Sequence, residues 1–373
     1  MSITSLDESE AIRRAVEPAL PRARGPLTRW LFSHLTGSTG ASRPAVVAVT
    51  DAGRDEDVQL ALYCCYELHY RGFEGVDPDM EWDPEVLALR RSLESGFLDD
   101  IRASIEPPTR VSPGEAEAEL LRMASGGDGP SLSGVIQGTP SLERVRELFI
   151  HRSAYQLKEA DPHTWAIPRL RGEAKAATVE IQADEYGAGV TAAMHAELFA
   201  ETMRAVDLDP GYGAYLGLIP GVTLATTNLI SLLGLHRRWR GALLGHLALF
   251  EMTSVGPMGR YAAALERLGV GPDGRRFYEV HVEADEEHQH IALERMVRGL
   301  LRDEPDLAAD VVFGAAALTE VERRFAARLL DAWNAGRCSL LPGPRLQRVD
   351  SLSACAVPRD LVFWARAGSV ICR

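Results

Sequence analysis

From Pro140 onward the chain is a succession of segments with helical apolar spacing, and this constrains its fold more than any other feature. The segments fall at 141–159, 173–206, 222–235, 238–268, 273–298 and 313–334, and loops rich in glycine and proline, such as DPGYGAYLGLIPG at 209–221, separate several of them. Apolar faces of this kind bury themselves against one another, so the expected fold class is all-α, a helical bundle. Residues 1–135 add a mostly helical extension. It holds the piece LTRWLFSHL, a helix between Asp55 and Phe73, a helix opened by Asp83–Pro84, and GEAEAELLRMA. SGGDGPSLSG at 125–134 reads as an exposed connection, VVAVT at 46–50 as a short strand, and LVFWARAGSVI from Leu361 as a strand or packed arm. The expected organisation is an accessory region at 1–135, a main domain at 136–335 and a C-terminal arm at 336–373.

Charge and cysteine content narrow the partners. With 53 acidic and 40 basic side chains the net charge is −13, which disfavours a nucleic-acid sleeve or an anionic membrane surface. The five cysteines are odd in number and form no CxxC, so neither a disulfide framework nor a four-thiolate zinc site is expected. The start MSITSLDESEAIRR has no apolar core, and ALLGHLALF is too short to span a bilayer, so the cytoplasm is the expected location. GYG at 211–213 and the GSTG loop lack the strand–turn–helix setting of a phosphate-binding loop.

The chemistry concentrates in FYEVHVEADEEHQHIALERMV. Relative to His281, Asp285 sits at about 40° and His288 at about −20° around an ideal helix, so the three share one face. Two imidazoles and a carboxylate aimed together suit Fe(II), Mn(II) or Zn(II), and nitrogen–oxygen donors with spare positions suit iron–oxygen chemistry. Phe277, Val280, Ala284, Ile291 and Leu293 supply apolar packing around them, though not on one stripe. The competing reading is a solvated acidic face with incidental histidines, since six acidic residues lie between Asp273 and Glu287. His290 falls on the opposite side. A ferritin-like centre would need two Glu-x-x-His pairs. Only Glu287–His290 has that spacing, and no HExxH is present.

Upstream, Glu185 and His195 would stand about 80° apart on a continuous helix, with Gly187 and Gly189 permitting a bulge. Glu180, Asp184 and Glu197 are rival carboxylates. Glu251 lies in an otherwise apolar helix, where a carboxylate must be coordinated, protonated or paired, Arg260 being the obvious partner. His246 reads as a core histidine, and His163 as structural or supporting.

With these residues in view the chain resembles the haem-oxygenase-like dimetal oxidases, also described as iron-containing redox enzymes. HVEADEEH matches that family's H-x3-D-x2-H, and the resemblance covers about residues 140–330. It implies a haem-oxygenase-like helical bundle in which Glu185, His195, Glu251, His281, Asp285 and His288 bind two Fe(II)/Fe(III) ions. Glu159 in LKEADPHTW resembles the additional carboxylate of N-oxygenating members, against the plainer role of ending a helix before Asp161–Pro162.

The implied activity is O2-dependent oxidation of a small metabolite, with O2 as cosubstrate and an external reductant. The first form of it is N-oxygenation of an amine or guanidine. The alternatives are oxidative decarboxylation or desaturation of an amino acid or fatty acid, and a non-catalytic metal-binding helical protein. A polar pocket using Arg169 or Arg171 would favour the amino acid. No catalytic residue beyond the ligands is required. The expected partners are a small-molecule substrate and an electron donor, with no nucleic acid or membrane, and the expected assembly is a homodimer.

Overall fold

The structure, a computed structural model, describes residues 17–38, 44, 51–105, 110–126 and 131–343. The strands suggested at 46–50 and from Leu361 lie outside the described residues, as does the arm beyond residue 343. Among the described residues every regular element is helical, so the chain is all-α. The first group is α1 (Pro26–Leu35), α2 (Glu56–Glu67), α3 (Pro84–Ile105), α4 (Pro113–Ala124) and α5 (Leu132–Gly138). Then come α6 (Leu142–Gln156), the single turn α7 (Asp161–Thr164), α8 (Gly172–Glu185), α9 (His195–Ala205) and α10 (Gly221–Leu235). The last are α11 (Arg240–Arg267), α12 (Pro272–His290), α13 (Arg298–Asp303) and α14 (Ala308–Asn334).

Local chemistry explains many of the boundaries. Asp55 accepts from the Asp57 and Val58 amides to start α2, and Asp83 accepts from Glu85 and Val86 before Pro84 opens α3. Ser112 and Glu115 form a reciprocal capping box on α4. The stretch expected to be an exposed connection instead contains the start of α5. Ser131 caps Gly134, and Leu132 turns inward. α12 does not end cleanly either, passing into a π-helical stretch, Ile291–Val297, before α13.

α10 and α11 are the inner helices. α10 is buried along nearly its whole length and packs on α2 and α14; α11 lies between α12 and α14. The α11–α14 contact is unusually close because glycines face it from both sides. A Cβ on Gly245 would collide with the Val311 carbonyl, and one on Gly314 with the Ala242 carbonyl. One apolar cluster runs from Leu27 to Trp333, so α1–α5 share the core of the later helices. Each Leu or Phe fully buried there contributes about 1.5–3 kcal/mol of transfer free energy. Several polar groups carried inside find partners: Asn228 Nδ2 donates to the Gln59 carbonyl at 2.8 Å, and His151 meets Thr223 Oγ1 at 2.8 Å.

Candidate metal centre

Four helices and one turn bring the seven expected ligands together. Glu185 is the last residue of α8 and His195 the first of α9; Glu251 sits in the middle of α11; His281, Asp285 and His288 line the buried face of α12. Glu159 lies in the turn between α6 and α7. All seven are buried. On α12 the alternation follows helical period, since Glu283, Glu286, Glu287 and His290 are exposed on the far side.

The expectation of one helix across 173–206 fails between Glu185 and His195. The chain leaves α8 at Tyr186 and makes two short 3₁₀ turns, Gly187–Gly189 and Thr191–Ala193, before α9 begins. Gly187, Ala188 and Gly189 have φ of 62°, 49° and 84°, all in the left-handed region. A Cβ at Gly187 would stand 2.5 Å from the Ala193 carbonyl carbon. This tight reversal folds α9 back so that His195 Nδ1 comes 2.8 Å from Glu185 Oε2, although neither atom has a hydrogen-bond partner.

The donor atoms form two groups that share Glu185. Glu159, Glu185, His195 and His281 offer atoms within 4.8 Å of one another, and so do Glu185, Glu251 and His288. Asp285 joins the second group, with its Oδ1 3.5 Å from His288 Nδ1. Glu251 Oε2 is also 3.5 Å from that nitrogen, and Glu159 Oε2 is 3.8 Å from His281 Nε2.

Neighbouring groups aim the imidazoles. The Phe277 carbonyl lies 2.7 Å from His281 Nδ1; it can only accept, so it fixes the proton there and leaves the Nε2 lone pair facing the carboxylates. Asp184 holds His288 Nε2 at 3.0 Å, leaving Nδ1 inward. Ser254 Oγ donates to Asp285 Oδ2.

The electrostatics of the centre are strongly displaced from those of free side chains. Burial, reinforced by Glu185, Asp285 and Glu251, raises the Glu159 pKa well above the usual carboxylate range. Burial also pushes Glu251 up to about 8. For Glu185 burial is outweighed by His195, and the pKa falls to about 2. Burial opposes the His288 cation, yet Asp285, Glu251 and Asp184 lift it to about 11. Glu159 Oε2, Glu185 Oε2, His195 Nδ1, Asp285 Oδ1 and His288 Nδ1 are buried without hydrogen-bond partners. A buried polar atom without a hydrogen bond costs about 1–3 kcal/mol, which the opposite charges alongside these atoms offset in part. Four carboxylates would be neutralised by two divalent ions, and the donor set of three imidazoles and four carboxylates fits iron.

The rival residues are used elsewhere. Glu180 pairs with Arg295 at 2.7 Å and Glu197 is exposed. Arg260 donates to Ser133 at 2.9 Å, so it does not neutralise Glu251. His246 is a buried core histidine, 3.3 Å from His163. Arg169 donates to the Gly234 and Leu235 carbonyls and closes the end of α10, while Arg171 is largely exposed near Asp303. Neither arginine borders the small cavity among the converging side chains or the cleft beside it.

The pocket is formed by residues that sequence reasoning did not select. A small cavity bordered by Tyr155, Phe250 and Leu247 opens among the converging side chains. Tyr155 and Phe250 also border a neighbouring cleft of about 390 Å³, which reaches Ser254. In its wall Arg152 grips Glu322 through two bonds, at 2.8 and 2.7 Å, and buried Gln156 keeps an unpartnered Oε1. Arg152, Tyr155, Gln156 and Glu159 recur at helical spacing through the end of α6, a signal that could have exposed them.

Comparison with known proteins bears on the same stretch of chain. The sequence profile of the family described as "Iron-containing redox enzyme" matches residues 146–323, which include all seven converging side chains. A nitrosourea synthase of Streptomyces achromogenes subsp. streptozoticus is 25% identical over 264 residues. That match covers 67% of this chain and 56% of the relative, so the chain spans little more than half of that protein's length. Residues 146–323 of this all-α chain are thus similar to the iron-containing redox enzyme family.

Proposed function

We propose that this protein is an O2-dependent non-haem diiron oxygenase acting on nitrogen in a small amine or guanidine. The observation that carries the reading is the pair of donor groups sharing Glu185, in which Glu159 Oε2, Glu185 Oε2, His195 Nδ1 and His288 Nδ1 are buried without hydrogen-bond partners. Bound there, two iron ions would supply the redox equivalents and open coordination positions that reaction with O2 needs. Glu159, Glu185, His195 and His281 would hold one; Glu185, Glu251, Asp285 and His288 the other. Nitrogen as the target is supported by Glu159, the carboxylate expected of N-oxygenating members, and by the similarity to a nitrosourea synthase.

The chain's own residues have definable tasks. The Phe277 carbonyl and Asp184 keep the inward nitrogens of His281 and His288 free to coordinate. Tyr155 and Phe250 stand between the centre and the cleft, where they limit water while leaving the substrate within reach. Arg152 and Glu322 offer a cationic and an anionic handle in the cleft wall. The proposed partners are a small-molecule substrate and an electron donor, and the proposed assembly is a homodimer. Residues 1–135 act in this reading as a buttress.

A second reading, oxidative decarboxylation or desaturation of an amino acid or fatty acid, draws on the apolar side of the cleft, where Leu132, Leu249, Met258 and Leu318 would accept an alkyl chain. One experiment separates the two. The protein is loaded with Fe(II) without oxygen, then exposed to O2 with a panel of amines, guanidines and fatty acids, and the products are read by mass spectrometry. Gain of oxygen on nitrogen supports the proposal; loss of CO2 or of two hydrogens from carbon favours the second reading. Oxygen uptake that no compound stimulates overturns both.

A further inference from the structure

We propose that the buried Lys158–Glu67 ion pair is a positioning element for Glu159, so that helix α2, distant in sequence, governs how well one of the two metal positions is formed. The inference rests on the diiron reading above. Glu159 reaches towards His281, yet no hydrogen bond holds its Oε2. The backbone of its turn must therefore do the positioning.

That turn is clamped from the α2 side. Lys158 Nζ is 2.8 Å from Glu67 Oε2, and both side chains are almost completely buried. Tyr212 Oη donates to both Glu67 oxygens at 2.8 Å, and Arg71 Nη2 donates to the Leu157 carbonyl at 3.2 Å. The Lys158 ammonium also lies over the Tyr63 and Tyr70 rings, at 4.6 and 4.4 Å from their centres. On the other side Tyr186, next to Glu185, donates to Asp161 at 2.9 Å. Between these clamps Ala160 takes φ = 74°, a conformation that a residue with a Cβ adopts only when its surroundings impose it. Adjacent residues thus face opposite ways: Lys158 is tied into α2, and Glu159 is delivered to the ligand cluster. A lysine sealed into the core has no solvation to gain there, so its use is the geometry it fixes.

The test is Fe(II) binding by the full-length apoprotein in oxygen-free equilibrium dialysis, with helix content followed by circular dichroism. The wild type is expected to bind two ions. Replacing both charges at once, Lys158→Met with Glu67→Gln, avoids leaving one charge unpaired. It is expected to weaken one binding step about tenfold or more and spare the other. Glu159→Gln is expected to weaken the same step. Adding it to the charge-pair variant should give no further loss, because Lys158 acts only through Glu159. Tyr212→Phe, which removes a single hydroxyl, repeats the cycle with a smaller expected loss and decides the matter if the double variant does not fold. Wild-type binding in these variants, or losses that add to that of Glu159→Gln, would overturn the positioning role alone. Fewer than two ions in the wild type would overturn the diiron reading, and this inference with it.

Discussion

Glu185 and His195 are ten residues apart, yet their inward atoms lie 2.8 Å from each other because the chain reverses between them through three consecutive left-handed residues. A continuous helix would have placed them about 15 Å apart along its axis. Gly187 makes the reversal possible, and it provides the most local test of the centre. Gly187→Val forces a Cβ against the Ala193 carbonyl at a positive φ. The expected result is destabilisation of about 1–3 kcal/mol in urea melts. Weaker Fe(II) binding should accompany it, whereas Gly189→Ala, whose Cβ meets nothing within 4 Å, should have the smaller effect on binding.

The buried donor face of α12 predicts its own titration. Asp285→Ala and His288→Ala should each reduce Fe(II) uptake from about two per chain to one or none, with circular dichroism unchanged; changes to groups that only orient a donor typically cost about 10–100-fold in affinity. Asp184→Asn should fall in that milder class, since it touches only His288 Nε2. Full uptake by the Asp285 and His288 variants would remove α12 from the centre.

Stability should depend on pH in opposite ways with and without metal. Glu251 and His288 both have folded pKa values raised above their unfolded ones, to about 8 and about 11. Their contribution is complete below the unfolded values and is lost as pH rises through the folded ones. The metal-free protein should therefore lose Tm between pH 5 and pH 9. Metal must displace these protons, so Fe(II) affinity should rise over the same interval, with proton release measurable by calorimetry in buffers of different ionisation enthalpy.

The cleft makes a separate claim. Glu322→Gln leaves every donor of the centre untouched but removes one of the two charges presented beside it. With iron content unchanged, KM for a cationic substrate should rise about tenfold and kcat change less, as expected when a ground-state contact is lost. A fall in iron content would instead make Glu322 part of the metal framework.

The glycines between α11 and α14 set the stability of the scaffold. Gly245→Leu or Gly314→Leu places a side chain where the facing carbonyl already lies. Overpacking of this kind costs about 1–3 kcal/mol, or more where backbone must move. Thermal melts should show it, and α11 would carry Glu251 with it.

What the sequence disclosed followed periodicity. His281, Asp285 and His288 were legible because one helix places them on one face, and Glu251 because a carboxylate stood in an apolar run. The Glu185–His195 distance was not legible: it depends on φ values that glycine permits but does not dictate. Asp184 stood only as a rival carboxylate, since its partner His288 lies 104 residues away. Ser254 and the Arg152–Glu322 pair escaped for the same reason, because their roles arise between helices. The packing of α2 on α10 was equally hidden, as an apolar face announces burial without naming its cover.

The π-helical stretch Ile291–Val297 changes the winding of the rod that carries His281, Asp285 and His288. Up to His290 the chain winds at the ordinary α step, and His281, Asp285 and His288 keep to one azimuth. The wider turn then lags behind that step, and the stretch packs against α8 and α11. One continuous rod thereby keeps two phases: the first aims donors, and the second grips the helix whose last residue is Glu185. A slip of the rod would move His281 and Glu185 together, like two marks on the same gear train.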